Sequence, residues 1–141
     1  IESLWDANMD LLQRPVPINL HDRSWRIYAR NVGMPPHYVF PTGSVENSLI
    51  TEGCEIAGEV RGSVLSAGVV VEEGAQVIDS VIMPFARIKK NAVVRRSIVA
   101  ESAVIGENAR VGEDTGKIAV VGTNIQLAEG SVLLAGEQAG N

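Results

Sequence analysis

A repeat of seventeen residues dominates the middle of the chain. Between Val71 and Val111 the sequence divides into blocks of six, six and five residues, and the pattern then begins again. Each block starts with an aliphatic residue and has a small or aliphatic residue four places later. A short fixed period is typical of a solenoid, in which each turn buries its apolar residues only against neighbouring turns. An amphipathic helix would instead repeat about every 3.6 residues.

The block lengths predict an all-β fold, a parallel β-helix with three sides and one short strand per side. Residues seventeen apart should then stack on neighbouring strands. The predicted inward columns are Val71, Ile88 and Ile105; Ala75, Ala92 and Ala109; and Val77, Val94 and Val111, with a corner column of Ser63, Ser80 and Ser97. The residues between the inward positions are predicted to face water.

Charges alternate in sign along two outward columns of the same register. These columns are Glu73, Lys90 and Glu107, and Asp79, Arg96 and Glu113. Opposite charges on neighbouring strands are mildly favourable, so we expect Lys90 and Arg96 to be paired with acidic neighbours. Arg87, Lys89 and Arg95 would then remain as an open basic patch, a possible phosphate site.

The chain divides into three parts. Residues 1–44 are predicted to form a linker, with a short helix over residues 1–12 followed by an extended segment. Residues 45–135 should form the β-helix, with about five coils, a first coil two residues short near residues 56–59, and a protruding turn after Gly112. Residues 136–141 are predicted to fray. A helix of this length is marginal alone, so it should pack on another element, such as an upstream domain.

Composition limits the function classes. The net charge of −5 argues against nonspecific nucleic-acid binding. No apolar run approaches the roughly 18 residues of a membrane span, so we expect a cytoplasmic protein without a membrane partner. Aromatic residues make up only 4% of the chain, which fits a narrow interior. Cys54 is the only cysteine and occupies a small corner position of the repeat.

No catalytic, cofactor or metal site is predicted in the chain. His21 and His37 both precede the repeat, and neither has a partner at metal-ligand spacing. The corner serines have no adjacent base. Arg23, Arg26 and Arg30 surround two aromatic residues, which suits either an anion site or an ion-paired interface strand.

Several phrases occur in an order that resembles one enzyme family. They are Ala-Asn-Met-Asp-Leu-Leu at 7–12, Asp-Arg-Ser-Trp-Arg-Ile-Tyr at 22–28, Pro-Pro at 35–36, Ser-Leu-Ile-Thr-Glu-Gly-Cys at 48–54, Ser-Val-Leu at 63–65 and Asp-Ser-Val-Ile-Met-Pro at 79–84. Together they resemble the C-terminal domain of bacterial glucose-1-phosphate adenylyltransferase.

The resemblance implies a left-handed β-helix that assists assembly and control of a two-domain enzyme of glycogen synthesis. That enzyme makes ADP-glucose and pyrophosphate from ATP and glucose 1-phosphate with Mg²⁺, in an upstream catalytic domain. It implies a tetramer and a phosphorylated-metabolite effector held by basic residues. Lys117, the only basic residue after Arg110, joins Arg23, Arg26 and Arg30 as a candidate effector or interdomain residue.

Three other interpretations stay open. The first is a non-catalytic regulatory subunit of the same family. The second is a hexapeptide-repeat acyltransferase, which would use a histidine between coils as general base. The repeat region contains no histidine, since none follows His37. The third is a purely structural solenoid.

Overall fold

The computed structural model describes residues 2–13 and 35–140. One helix, α1 (Glu2–Gln13), precedes a series of short parallel strands. In chain order these are β1 (Tyr38–Val39), β2 (Ser44–Glu46), β3 (Leu49–Ile50), β4 (Glu55–Ile56), β5 (Glu59–Arg61), β6 (Val64–Leu65), β7 (Val70–Val71), β8 (Gln76–Ile78), β9 (Val81–Ile82), β10 (Arg87–Ile88), β11 (Val93–Arg95), β12 (Ser97–Val99), β13 (Val104–Ile105), β14 (Arg110–Val111), β15 (Ala119–Val121), β16 (Gln126–Leu127), β17 (Val132–Leu133) and β18 (Gln138–Ala139).

Three sheets form the sides of a parallel β-helix. Sheet A has the order β1-β4-β7-β10-β13-β16, sheet B the order β2-β5-β8-β11-β14-β17, and sheet C the order β3-β6-β9-β12-β15-β18. Each strand therefore pairs with the strands three places before and after it along the chain, which confirms the predicted three-sided coil.

The predicted register is confirmed. Ile88 pairs with Val71 on one side and with Ile105 on the other. Val94 likewise pairs with Val77 and Val111. These residues and the alanine column are fully buried, in a core cluster made up of Cys, Ala, Val, Leu and Ile side chains. Repetition of small and branched residues thus fills an interior too narrow for rings.

The β-helix is longer than predicted, because each sheet contains six strands and the stack therefore has six coils rather than five. It runs from Tyr38 to Ala139, beyond the expected bounds of 45 and 135. At its start, Val39 keeps the inward aliphatic position and pairs with Ile56, but aromatic and proline residues surround it. At its end, β18 pairs with β15 inside the tail that was expected to fray. Backbone pairing continues at both ends although the side-chain pattern fades.

Three departures from the seventeen-residue spacing occur at corners, and the smallest is in the last coil, where Val121 pairs with Ala139, eighteen residues on. Ile56 pairs with Val71, fifteen residues on, because only Ala57 and Gly58 link β4 to β5. This confirms the predicted short first coil. A Cβ on Gly58 would lie 2.4 Å from the carbonyl oxygen of Ala75, so the tight corner requires glycine. In the other direction, Val111 pairs with Leu133, twenty-two residues on, because residues 113–117 leave the stack.

A ladder of hydrogen bonds connects the corner serines. The amide of Ser97 donates to Ser80 Oγ (3.2 Å), and the amide of Ser80 donates to Ser63 Oγ (3.0 Å). The amide of Ser63 donates in turn to Ser48 Oγ (3.1 Å). Ser63, Ser80 and Ser97 are fully buried. The hydroxyls of Ser48, Ser63 and Ser80 therefore each satisfy the amide of the next coil at a place where strand pairing is interrupted.

Helix α1 packs on the outer surface of sheet C. Met9 is buried in a cluster with Val81, Ile98 and Ile118, and Trp5 packs against the same cluster. The sequence predicted that residues between the inward positions face water, and on this side that prediction was wrong. It also suggested an upstream domain as the support for the helix, whereas in the described part of the chain the β-helix itself provides that support.

Candidate functional site

The outer face of sheet C carries an apolar stripe. Its members are Val64, Val81, Ile98 and Val120, one from each of β6, β9, β12 and β15 and successively paired in register. Strands of this sheet have apolar residues on both faces, as in Val81 and Ile82 of β9. Two consecutive apolar residues in successive coils are the sequence signal of a sheet covered on both sides. Our sequence interpretation missed this signal.

The first turn of α1 makes polar contacts with the β-helix. The indole Nε1 of Trp5 donates to the carbonyl oxygen of Asp79 at 2.8 Å. A carboxylate oxygen of Glu2 accepts from the amide of Ile118 at 3.2 Å. The guanidinium carbon of Arg96 lies 4.9 Å from the centre of the Trp5 ring, within the range of a cation–π contact. The start of the helix is therefore attached at three corners of successive coils.

Residues 113–117, which we call the 113–117 turn, are exposed but attached to both neighbouring coils. Arg95 Nη1 forms an ion pair with Asp114 Oδ1 at 2.8 Å, and Arg96 Nη2 donates to the carbonyl oxygen of Gly116 at 3.1 Å. From the following coil, the amide of Ala135 donates to Glu113 Oε2 at 2.9 Å. The protruding turn predicted after Gly112 is thus present, with an anchored base.

The arrangement of charges differs from the predicted one. Across the described residues, the ion pairs within 4.0 Å join Arg61 to Glu59, Arg87 to Glu72 and Arg95 to Asp114. Arg87 and Arg95, expected to be open, are therefore paired. Arg96, expected to pair with Asp79 and Glu113, instead contacts Trp5 and Gly116. For Arg95 and Arg96 the column rule could not anticipate this, because the helix and the turn supply partners from outside the repeat. Arg87 and Glu72 both belong to the repeat but lie in different columns, which the rule did not compare.

The architecture is matched by a model of a known family. The family is described as GlmU-like, C-terminal hexapeptide, and its model matches residues 37–133. The chain belongs to the GlmU-like, C-terminal hexapeptide family. The matched residues lie within the six coils, so the match concerns the β-helix and ends before β18.

Curated relatives of this GlmU-like chain are named glucose-1-phosphate adenylyltransferase. Proteins of that name from Bacillus mycoides, Bacillus cereus and Bacillus anthracis are 56% identical to it over 94 residues. The alignment covers 67% of this chain and 25% of each relative. The chain therefore spans about a quarter of the length of these relatives. The resemblance seen in the sequence is confirmed.

One of the four candidate effector residues of the GlmU-like chain lies in the described structure. Lys117 is exposed at the end of the 113–117 turn, and its carbonyl oxygen accepts from the amide of Gly136 at 3.0 Å. Arg23, Arg26 and Arg30 lie outside the described residues. Whether these arginines share a site with Lys117 stays a prediction.

The described residues of this GlmU-like chain contain no group of three or more side chains suited to a metal ion. His37 is exposed just before β1. Cys54 is buried, and its Sγ lies 3.1 Å from the carbonyl oxygen of Ser66. Burial raises the pKa of the Cys54 thiol, which keeps it protonated and weakly nucleophilic. The one described helix is too short and too polar to cross a membrane.

Proposed function

We propose that this chain is the C-terminal β-helix of a glucose-1-phosphate adenylyltransferase of glycogen synthesis. The full enzyme would convert ATP and glucose 1-phosphate into ADP-glucose and pyrophosphate. The observation that carries the proposal is the 56% identity over 94 residues to proteins of that name. The phrase at 79–84 contains β9 and the corner before it. The carbonyl oxygen of Asp79 at that corner accepts a hydrogen bond from the Trp5 indole, so part of the resemblance lies where α1 contacts the β-helix.

Catalysis would belong to a domain upstream of this chain. Nucleotidyl transfer needs a metal ion held by carboxylates and groups that cradle phosphates. Mg²⁺ does not fit the described residues, because no metal-ligand group is present among them. In this proposal the chain alone is inactive, with Mg²⁺ bound by the catalytic domain. Helix α1 would fix the direction in which the chain enters the β-helix.

The β-helix would act in assembly and control in the cytoplasm. In the described part of the chain, the strands at the two ends of the stack each pair with one strand only, which favours pairing with another chain in a homo-oligomer, a tetramer by the resemblance. A phosphorylated metabolite would bind basic residues, with Lys117, Arg23, Arg26 and Arg30 as candidates. Such an effector changes activity only if it binds one arrangement of the domains more tightly than another.

The test is an assay of the parent protein that contains this sequence and its upstream residues. Pyrophosphate release would be measured with ATP, glucose 1-phosphate and Mg²⁺, beside residues 1–141 alone. Release by the parent and none by the isolated chain is the expected result. Activity of the isolated chain, or no release by the parent, would contradict the proposal. A parent protein that releases no pyrophosphate alone but stimulates release by a catalytic subunit would indicate a regulatory subunit instead.

The effector proposal is tested in the same assay with a panel of phosphorylated sugars. We expect Lys117→Ala to weaken the response to the active sugar by about tenfold, the effect of losing one charge-assisted contact of roughly 1.5 kcal/mol. Lys90→Ala, which removes an exposed lysine from the side of the stack, is the matched control. Equal responses of the two variants to the sugar would show that Lys117 does not bind the effector.

A further inference from the structure

Arg96 occupies a backbone conformation that is unfavourable for arginine. Its φ is +41°, in the left-handed region. The same corner in three preceding coils is occupied by Asn47, Gly62 and Asp79, with φ of +47°, +57° and +49°. Glycine, asparagine and aspartate tolerate this region, whereas other L-residues are destabilised there. Strained residues of this kind persist where the surrounding contacts hold them and are concentrated at functional positions.

The side chain of Arg96 contacts two elements that lie outside the three sheets. One is α1, through the ring of Trp5. The other is the 113–117 turn, through the carbonyl oxygen of Gly116. The end of the turn leads directly to Ile118, whose amide is bonded to Glu2 of α1. Helix α1 and the turn are therefore connected in two ways. Both contact the Arg96 guanidinium, and Glu2 of the helix is hydrogen-bonded to Ile118, the residue that follows the turn.

We propose that Arg96 is a latch that couples the seating of α1 on sheet C to the conformation of the 113–117 turn. With α1 in place, the Trp5 ring confines the guanidinium so that it faces the Gly116 carbonyl. When α1 leaves the sheet, the guanidinium loses the ring and the turn loses one of its fixed bonds. Because coupling free energies are reciprocal, a displaced turn must also loosen α1.

The latch does not depend on the proposed enzymatic activity. It would transmit an event at either element to the other, whether that event is binding of a small molecule at the turn or movement of a domain that precedes α1. Its failure and the failure of the adenylyltransferase assignment are separate results, since the latch is measured by backbone exchange and the assignment by pyrophosphate release.

Hydrogen exchange of residues 1–141, read by mass spectrometry on peptides from α1 and the 113–117 turn, tests the latch. Trp5→Ala removes the ring and the indole bond to Asp79 and leaves the residues of the turn unchanged. We expect exchange in the turn to rise by about fivefold or more, the lower end of measured couplings. Gly116→Ala disturbs the turn, because the φ of +97° is unfavourable for alanine and a Cβ there would lie 3.1 Å from that of Ala135. We expect exchange in α1 to rise in that variant.

Arg96→Gly tests whether the Arg96 side chain couples α1 to the turn or only occupies a corner. Glycine relieves the backbone strain, so the fold is retained, but exchange in both α1 and the turn should rise together. Asn47→Gly is the matched control, because Asn47 has the same corner position and a similar φ but lies in the first coil. We expect that control to leave both peptides unchanged.

Three results would overturn the latch. The first is unchanged exchange in the turn of Trp5→Ala. The second is unchanged exchange in α1 of Gly116→Ala. The third is an Arg96→Gly protein in which both peptides keep their protection, which would make Arg96 a corner residue only. Trp5→Phe should give a smaller effect than Trp5→Ala, since it keeps a ring for the guanidinium and loses the indole donor.

Discussion

At the scale of single residues, the buried serines connect the coils where the strands do not. The hydroxyls of Ser63 and Ser80 each accept an amide from the next coil and donate to a carbonyl of their own coil, as Ser80 does to Ile78 at 2.8 Å. A hydroxyl has both a donor and acceptor sites, so one atom satisfies two backbone groups. The serine column is therefore structural, and its members are not available as nucleophiles.

Replacing Ser80 tests the ladder. Ser80→Ala leaves the buried amide of Ser97 without its acceptor, and we expect a loss of about 1–3 kcal/mol in the free energy of unfolding. Ser48→Ala is the control, because Ser48 makes the same bond at the partly exposed end of the column, where water can replace it. Urea unfolding curves measure both variants. Equal losses would contradict the role of burial.

Cys54 gives a prediction for pH. Because burial raises the pKa of its thiol, the unfolded chain loses the thiol proton at lower pH than the folded one. The contribution of Cys54 to stability is therefore complete below the ordinary thiol pKa of about 8.5 and decreases as pH rises above it. Urea unfolding of the protein and of Cys54→Ala should show a difference that shrinks between pH 7 and pH 10. A constant difference would argue against a buried thiol.

At the scale of elements, the corners are more sensitive to sequence than the strands. A strand of two or three residues needs only one inward aliphatic residue, and valine, leucine and isoleucine all occur at such positions. The corner at Ala57 and Gly58 spans β4 to β5 with two residues, against four between β7 and β8. Backbone atoms approach so closely there that the side chain itself is excluded.

Gly58→Ala should therefore be destabilising beyond a conformational penalty. Its Cβ would meet the carbonyl oxygens of Ala75 at 2.4 Å and Glu72 at 2.7 Å, and neither can move without breaking the stack. We expect a loss of at least about 2 kcal/mol. Gly130→Ala is the control, with φ of +73° and open space around the new Cβ, and should lose about 1 kcal/mol. Thermal unfolding of both variants measures the two losses of stability. An equal loss in Gly130→Ala would contradict the close approach at Gly58.

Much of the β-helix was predictable from the sequence because its contacts repeat. The Val77, Val94 and Val111 column follows from period alone, since every coil places the same position in the same surroundings. The seat of α1 and the partners of Arg96 were not predictable in this way. They depend on contacts between the repeat and single elements outside it, and periodicity carries no information about those. The left hand of the coil, implied by the resemblance, stays a prediction.

At the scale of the whole molecule, the stack is nearly one-dimensional. Each coil pairs only with the coil before and the coil after, so stability is close to a sum of coil and interface contributions. The central coils have two neighbours and fully buried inward residues, whereas Leu133 in the last coil is only partly buried.

The position of a core substitution should decide how far its effect extends. Val94→Asp places an unpaired charge in the centre of the stack, and we expect the whole β-helix to lose protection against hydrogen exchange. Leu133→Asp should expose β16, β17 and β18 and leave the central coils protected. Exchange measured peptide by peptide distinguishes the two. Global loss of protection in Leu133→Asp would show that the coils unfold as one unit.

The 113–117 turn shows that chain length at a corner is independent of the register of the sides. Val111 and Leu133 remain paired although they are twenty-two residues apart, against the seventeen between Val94 and Val111. The entropic cost of a longer loop grows slowly, by about 0.6 kcal/mol for each doubling of length. This corner is thus a natural graft site: a peptide tag or a binding loop inserted within the turn would be displayed at a fixed height along the stack, and the inward columns would keep their spacing.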